Sequence, residues 1–283
     1  MSAELENLKK WIGEQETGVD HVTIPFVHRM SATLDRDDAF PQNGDVLPPG
    51  WHSSLFPRVV RHSQIGPDGH PARGDFLPPV PLPRRMFAGK RSTFSGDLRI
   101  GDELKRISTI KDVAIKTGRT GQMVFVTVKT EISSTRGLAV SEEQDLVYRA
   151  DPDKNAPPPP AQPAPGTAVW KNIVTPTEVM LFRYSALTFN GHRIHYDHPY
   201  VTQTEGYPAL VMNGGLTTLL VYELARANAK SPIKFISSRN VRPMFANRPI
   251  TICGEPSADG KSAKLWTQDD TGALSMSATA EFV

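Results

Sequence analysis

The chain has 283 residues, is 39% apolar and 22% charged, and carries a net charge of +2. That length suits two halves of roughly 130 residues each, and so balanced a charge does not argue for a nucleic-acid binder, although it leaves room for the local basic patch that a phosphorylated cofactor needs. The single cysteine, Cys253, excludes a disulfide framework and a cysteine zinc site. Met1-Ser2-Ala3-Glu4-Leu5-Glu6 has no basic n-region, and no stretch reaches the ~18 apolar residues of a membrane span. The expectation is a cytoplasmic protein without membrane or nucleic-acid partners.

In chain order, the first element is a weak helical candidate over Phe26 to Leu34. Trp51 to Pro83 is rich in Pro and Gly, as a loop-lined pocket would be. Arg84, Arg85, Lys90 and Arg91 follow, readable as a phosphate-binding patch or as a solvated loop. Ala88-Gly89-Lys90-Arg91-Ser92 is not a phosphate loop, because Arg84 stands where the first Gly should be. Strand-like runs then cover Asp112 to Lys116, Gln122 to Ile132 and Leu138 to Tyr148.

Near the middle, Ala156-Pro157-Pro158-Pro159-Pro160-Ala161-Gln162-Pro163-Ala164-Pro165-Gly166 reads as a semi-rigid connector. Its prolines fix φ and lack an N–H, so it is expected to stay out of sheets and helices. This divides the chain into 1–150, a linker at 151–166, and 167–283. Beyond it, Leu216, Leu219, Leu220 and Leu224 form a one-sided stripe, which predicts a helix opening after Asn213-Gly214-Gly215. Strand-like runs close the chain at Ile250 to Glu255, Ala263 to Gln268 and Leu274 to Val283. Three echoes in the same order suggest an internal duplication. Arg29-Met30-Ser31-Ala32 answers Arg183-Tyr184-Ser185-Ala186, and Pro48-Pro49-Gly50-Trp51 answers Tyr207-Pro208-Ala209-Leu210. Leu98-Arg99-Ile100-Gly101-Asp102 answers Pro243-Met244-Phe245-Ala246-Asn247.

The stretch from Leu181 to Asp197 carries the chemistry. It resembles the hydratase motif S-G-D-x-N-P-I-H of MaoC-like enzymes, with Ile194-His195 as the Ile-His pair. The family's acid falls on Asn190, its Asn on His192 and its Pro on Arg193. Pro208-Ala209-Leu210-Val211-Met212-Asn213-Gly214-Gly215-Leu216 resembles P-G-L-V-x-H-G-M-L, with Asn213 in place of the His. Arg239-Asn240-Val241-Arg242-Pro243-Met244-Phe245 resembles the segment that enters the second strand run. Gly50-Trp51-His52 and Leu82-Pro83-Arg84-Arg85-Met86 resemble the N-terminal half of a subgroup that includes mesaconyl-C4-CoA hydratases. The resemblance implies an α+β double hot-dog, two curved antiparallel sheets each wrapped around a central helix. It also implies an acyl-CoA hydro-lyase, commonly a homodimer, with CoA as part of the substrate and no separate cofactor.

The residues suit that chemistry on their own terms. Hydrating an α,β-unsaturated thioester needs a base, a proton for the α-carbon and donors for the enolate oxygen. His195 is the general acid/base candidate, against the alternative of a satisfied loop histidine. Asn190 can hold a water through its amide or simply cap an Asn-Gly turn. The Gly214 N–H, at a helix start, can serve an oxyanion or merely ease helix entry. Arg193, Arg239, Arg242 and Arg85 are candidates for substrate binding. His192, His195 and His198 form H-x-x-H-x-x-H, but Gly191 and Pro199 bracket a loop and no acidic ligand pattern accompanies them, so no metal is expected. Projected onto the first half, Asn190 falls on Arg36 and His195 on Pro41, neither of them a base. The first half is therefore expected to shape the substrate pocket without catalysing.

Overall fold

The computed structural model describes residues 3–71, 76–118, 121–150 and 160–283. A short N-terminal helix, α1 (Ala3–Asn7), is followed by β1 (Gln15–His21) and α2 (Ile24–Thr33). The first half then adds β2 (Arg84–Phe94), β3 (Glu103–Gly118), β4 (Gly121–Ser134) and β5 (Gly137–Arg149). The second half has β6 (Trp170–Val174), α3 (Glu178–Leu187), α4 (Gly214–Asn228), β7 (Ile233–Asn240), β8 (Ile250–Pro256), β9 (Ser262–Gln268) and β10 (Leu274–Phe282).

The strands form one antiparallel sheet in the order β1-β3-β4-β5-β2-β7-β10-β9-β8-β6. Read outward from its centre, that order is the same strand sequence twice, so the two hot-dog sheets are joined edge to edge where β2 pairs with β7. Pairing there covers an edge that would otherwise expose unpaired N–H and C=O groups in each half. β2 had no strand signal in the sequence: its alternation is masked by Arg84, Arg85, Lys90 and Arg91. Partners on both sides make it a strand, pairing Arg91 with Glu143 of β5 and with Ser237 of β7.

The duplication reaches the backbone. Thr23 and Thr177 each cap a ten-residue helix by accepting an amide proton, from Phe26 and Met180 respectively. Asp35 and Phe189, just beyond those helices, are both left-handed, with φ of 54° and 51°. The Leu47 amide donates to Leu98 as the Met212 amide donates to Met244, each at 2.8 Å. This corrects one of the echoes. Pro48-Pro49-Gly50 stands where Asn213-Gly214-Gly215 stands, not where Tyr207-Pro208-Ala209 does.

The helices are not duplicated equally. α4 lies across all five strands of its half, with Leu216, Leu219, Leu220 and Leu224 buried. Each contributes roughly 1.5–3 kcal/mol by leaving water. In the first half, a four-residue 3-10 turn, Trp51–Ser54, occupies the corresponding position. Its Trp51 Nε1 donates to Glu223 of α4 at 2.9 Å. Behind it, buried Glu142 accepts from Ser92 Oγ at 2.9 Å, pairs with Lys90 at 2.9 Å and meets His52 Nε2 at 3.2 Å.

Residues 151–159 of the linker lie outside the described residues. At the linker's far end, the Gln162 carbonyl accepts from Leu274 at 3.0 Å, and Pro163 bridges Ala273. The expectation that this stretch avoids the sheet is corrected at that point. Proline removes a donor but leaves the neighbouring carbonyls free to accept. Among the described residues, no helix is long and apolar enough to cross a membrane.

Candidate active site

The loop after α3 folds by capping itself. The Asn190 amide donates back to Ser185 at 2.8 Å, and Asn190 Oδ1 accepts from the His192 amide at 3.0 Å. The turn-capping role of Asn190 is thus realised, while its Nδ2 and a second lone pair on Oδ1 remain for a water or substrate. Arg193–His195 form a 3-10 turn, and Ile194 accepts from the Val211 amide at 2.9 Å. These bonds bring His195, 6% exposed, against the segment leading into α4.

The His195 Nδ1 lies 2.7 Å from the Val211 carbonyl oxygen. A carbonyl only accepts, so Nδ1 carries the hydrogen and Nε2 keeps its lone pair. Burial pushes the imidazole down to about 4, only partly offset by the Val211 bond. The ring is therefore neutral and able to accept a proton at neutral pH.

Gly214 opens α4 on a cap residue, Asn213, with extended backbone. A Cβ at Gly214 would lie 3.1 Å from Asn240 Nδ2 and 3.9 Å from the Phe87 ring, so the mouth of the helix is narrow and lined by a second donor. Asn213 is buried, and its Nδ2 donates to Ser185 Oγ at 3.2 Å. Its Oδ1 has no hydrogen-bond partner among the described residues. A first-turn amide aligned with the helix dipole, beside a carboxamide donor, suits a developing oxyanion. The equivalent position in the first half is Pro49, which has no N–H to offer.

Two functional candidates that the sequence reading passed over come from the first half. The turn Gly66-Pro67-Asp68-Gly69-His70 docks on the loop after α3. The Arg193 amide donates to the Asp68 carbonyl at 2.9 Å, and Gly69 packs on Gly191 so closely that a Cβ on Gly191 would sit 2.7 Å from the Gly69 oxygen. The two glycines are required by this approach, and Gly69 also has φ of +89°. His70 then stacks on His192 with ring centroids 4.1 Å apart, and His192 meets His195 at 5.3 Å. The local signal was a Pro-Asp-Gly turn carrying a histidine, but sequence alone does not say where a turn docks. Of the H-x-x-H-x-x-H series, His198 stays exposed and outside this group.

The arginines divide. Arg193 is engaged within the protein. Its Nε and Nη2 donate to Asp197 at 2.9 and 2.8 Å, its Nη1 donates to the Pro67 carbonyl at 3.0 Å, and it stacks over Tyr200. Lys90 pairs with Glu142, Arg91 with Asp145 and Arg84 with Glu205. Arg239 is exposed on β7 opposite Gly89, and Arg242 lies near Asp269, whose carboxyl is lowered, against its burial, by hydrogen bonds from Thr271 and Ala273 and least by the Arg242 charge. Arg85 shares a strand face with Phe87, and its charge is felt at His192.

Comparison with known proteins places these features in context. Residues 50–246 match the family model "hydroxyacyl-thioester dehydratase type 2". The chain is 42% identical over 272 residues to the mesaconyl-C(4)-CoA hydratase of Chloroflexus aurantiacus, covering 96% of each chain. Among solved structures, a MaoC-like dehydratase from Phytophthora capsici superposes with a TM-score of 0.68 at 11% identity, covering 99% of this chain and 98% of the other. A Mycobacterium tuberculosis protein described as a double hotdog fold superposes with a TM-score of 0.58 at 13% identity, covering 99% and 98%.

Proposed function

Because this chain belongs to the hydroxyacyl-thioester dehydratase type 2 family, hydro-lyases with a MaoC-like double hot-dog fold, we propose that it reversibly hydrates a carboxylated α,β-unsaturated acyl-CoA. The best candidate reaction is mesaconyl-C4-CoA to citramalyl-CoA. The carrying observation is the neutral His195, fixed through Nδ1 with Nε2 free, beside the first turn of α4. Nε2 takes a proton from water as the hydroxyl adds to the β-carbon. The Gly214 N–H, with Asn240 Nδ2, receives the charge moving onto the thioester oxygen. Asn190 Nδ2 helps hold the water. Arg85, on the face of Phe87, supports a substrate with a free carboxylate, to which it offers a planar pair of donors. Dehydration of a 3-hydroxyacyl thioester uses the same groups in reverse.

No cofactor beyond the CoA of the substrate enters this scheme. We place the enzyme in the cytoplasm as a homodimer. The exposed Val179 and Phe182 of α3 and the nearby Phe189 support that association by offering apolar surface.

The test is incubation with crotonyl-CoA and with mesaconyl-C4-CoA, following enoyl absorbance and free thiol together. Enoyl loss without thiol release is expected. Thiol release instead identifies a thioesterase, and neither change identifies a binding protein. Arg85→Ala should lower kcat/KM for mesaconyl-C4-CoA by about 10-fold or more, the worth of a charge-assisted contact, and leave crotonyl-CoA nearly unaffected.

A further inference from the structure

A second cluster of ligating side chains lies where the turn of the first half meets the loop after α3. Among the described residues, Asp68, His70 and His192 are the one set of three whose donor atoms, a carboxylate oxygen and two imidazole nitrogens, all lie within 4.8 Å of one another. None of the three is fully buried, so a small ion can reach them. The hydration scheme uses none of them.

We propose that Asp68, His70 and His192 hold one divalent transition-metal ion of the Zn²⁺ kind, which staples the first half to the loop that carries His195. Two imidazoles and one carboxylate, with no thiolate, suit such an ion better than Mg²⁺ or Ca²⁺, which favour all-oxygen sites. Ligands at about 2.1 Å from one ion stand roughly 3–3.5 Å apart. Asp68 Oδ2 and His70 Nδ1 already stand at 3.0 Å. Without an ion that contact is a hydrogen bond. An ion takes the place of its hydrogen, and the ring then carries its N–H on Nε2. The ring of His192 is held by stacking on His70, at 4.1 Å between centroids, and makes no hydrogen bond among the described residues. Its nitrogens are therefore available, and a shift of about 1 Å brings one into the same shell.

The backbone prepares this geometry. Asp68 and His70 flank Gly69, and His192 follows Gly191, so the contact between the two glycines sets the ligands opposite one another. Asp68 Oδ1 accepts from the His70 amide at 3.0 Å, which leaves Oδ2 facing the imidazole. Outer hydrogen bonds orient carboxylate ligands in the same way around bound metals. Asn190 Oδ1 accepts from the His192 amide at 3.0 Å and fixes the opposite side. The Arg85 charge, felt at His192, works against a cation, and the Asp68 carboxylate works for it. Three protein ligands leave the remaining positions to water. The set shares only His192 with the H-x-x-H-x-x-H series, since His198 is exposed outside it and His195 keeps Nδ1 on the Val211 carbonyl. A staple of this kind is independent of which thioester the enzyme hydrates.

The experiment uses the full chain without an affinity tag, stripped by a chelator, and adds Zn²⁺ alone or Co²⁺ alone. It reads metal retained after gel filtration, the visible spectrum of the Co²⁺ form and the melting temperature. Expected are one equivalent of metal per chain, visible Co²⁺ bands of a nitrogen and oxygen site, and a melting temperature that rises with Zn²⁺. His70→Ala and Asp68→Ala should each weaken Zn²⁺ binding by more than about 10-fold, since even an outer-shell partner is worth that much. His198→Gln should bind as wild type does. If Asp68→Ala does not fold, His70→Ala alone decides. Less than a half equivalent bound to wild type would overturn the site. So would unchanged Zn²⁺ affinity in folded His70→Ala, or loss of binding in His198→Gln. No thioester enters these measurements, so a failed metal site and a failed hydratase reading are told apart.

Discussion

His195 donates from Nδ1 to the Val211 carbonyl at 2.7 Å, and Val211 is itself bridged to Phe245. The imidazole tautomer is therefore set by backbone that an isolated β-bridge helps hold in place. On the proposed role of His195, His195→Ala should lower kcat by at least ~100-fold, with KM little altered. Steady-state kinetics on a variant of wild-type thermal stability checks this. A folded variant keeping more than a tenth of the wild-type kcat would shift the base role to His192.

Acid should affect activity late and stability early. The imidazoles of His195 and His192 are lowered from 6.5 to about 4 and about 3 by burial. The folded state thus disfavours their protonation, while the unfolded chain takes up protons near pH ~6.5. Stability from this source is fully present above that pH and is lost as pH falls toward about 4. We expect the melting temperature to drop between pH 7 and 4.5, and less steeply in His192→Gln. The acid limb of kcat/KM should fall nearer pH 4 than pH 6.5. An acid limb at the unperturbed histidine value would refute the buried-neutral assignment.

Gly214→Pro tests the oxyanion donor. Asn213 has φ of −61° and ψ of 126°, a conformation that tolerates a following proline, and helix position N1 accepts one. The variant should fold and lose activity by about 100-fold or more. Gly214→Ala separates donor loss from crowding, since it keeps the N–H and meets Asn240 Nδ2 at 3.1 Å. Full kcat in a folded Gly214→Pro enzyme would assign the oxyanion elsewhere.

Glu142 should matter for stability rather than for the chemical step. It is buried, yet Lys90 and His52 outweigh the burial cost and keep its carboxyl ionised. Glu142→Ala leaves Lys90 facing the interior without its partner, which costs roughly 3–5 kcal/mol. Chemical denaturation should show that loss, with kcat per folded molecule retained. A shift below ~1 kcal/mol would mean that the pair is not held as described.

The sequence by itself determined the fold class and the reaction class. Those rest on the motif resemblance carried by Ile194-His195 and Asn213-Gly214, together with local signals: the leucine stripe of α4 and the strand-like runs of β3, β4, β5, β8, β9 and β10. Each is a short-range pattern, and burying one face of a helix or strand is enough to produce it. Only the tertiary structure decided that β2 is a strand, because its charged residues pair across two neighbours rather than alternate against one core. Only it decided that Arg193 ties its loop to Pro67. It also brought Asp68 and His70 to His192, more than a hundred residues away in the chain. That meeting depends on two glycines, Gly69 and Gly191, closing to backbone contact, and long-range contacts of this kind leave no periodicity along the chain.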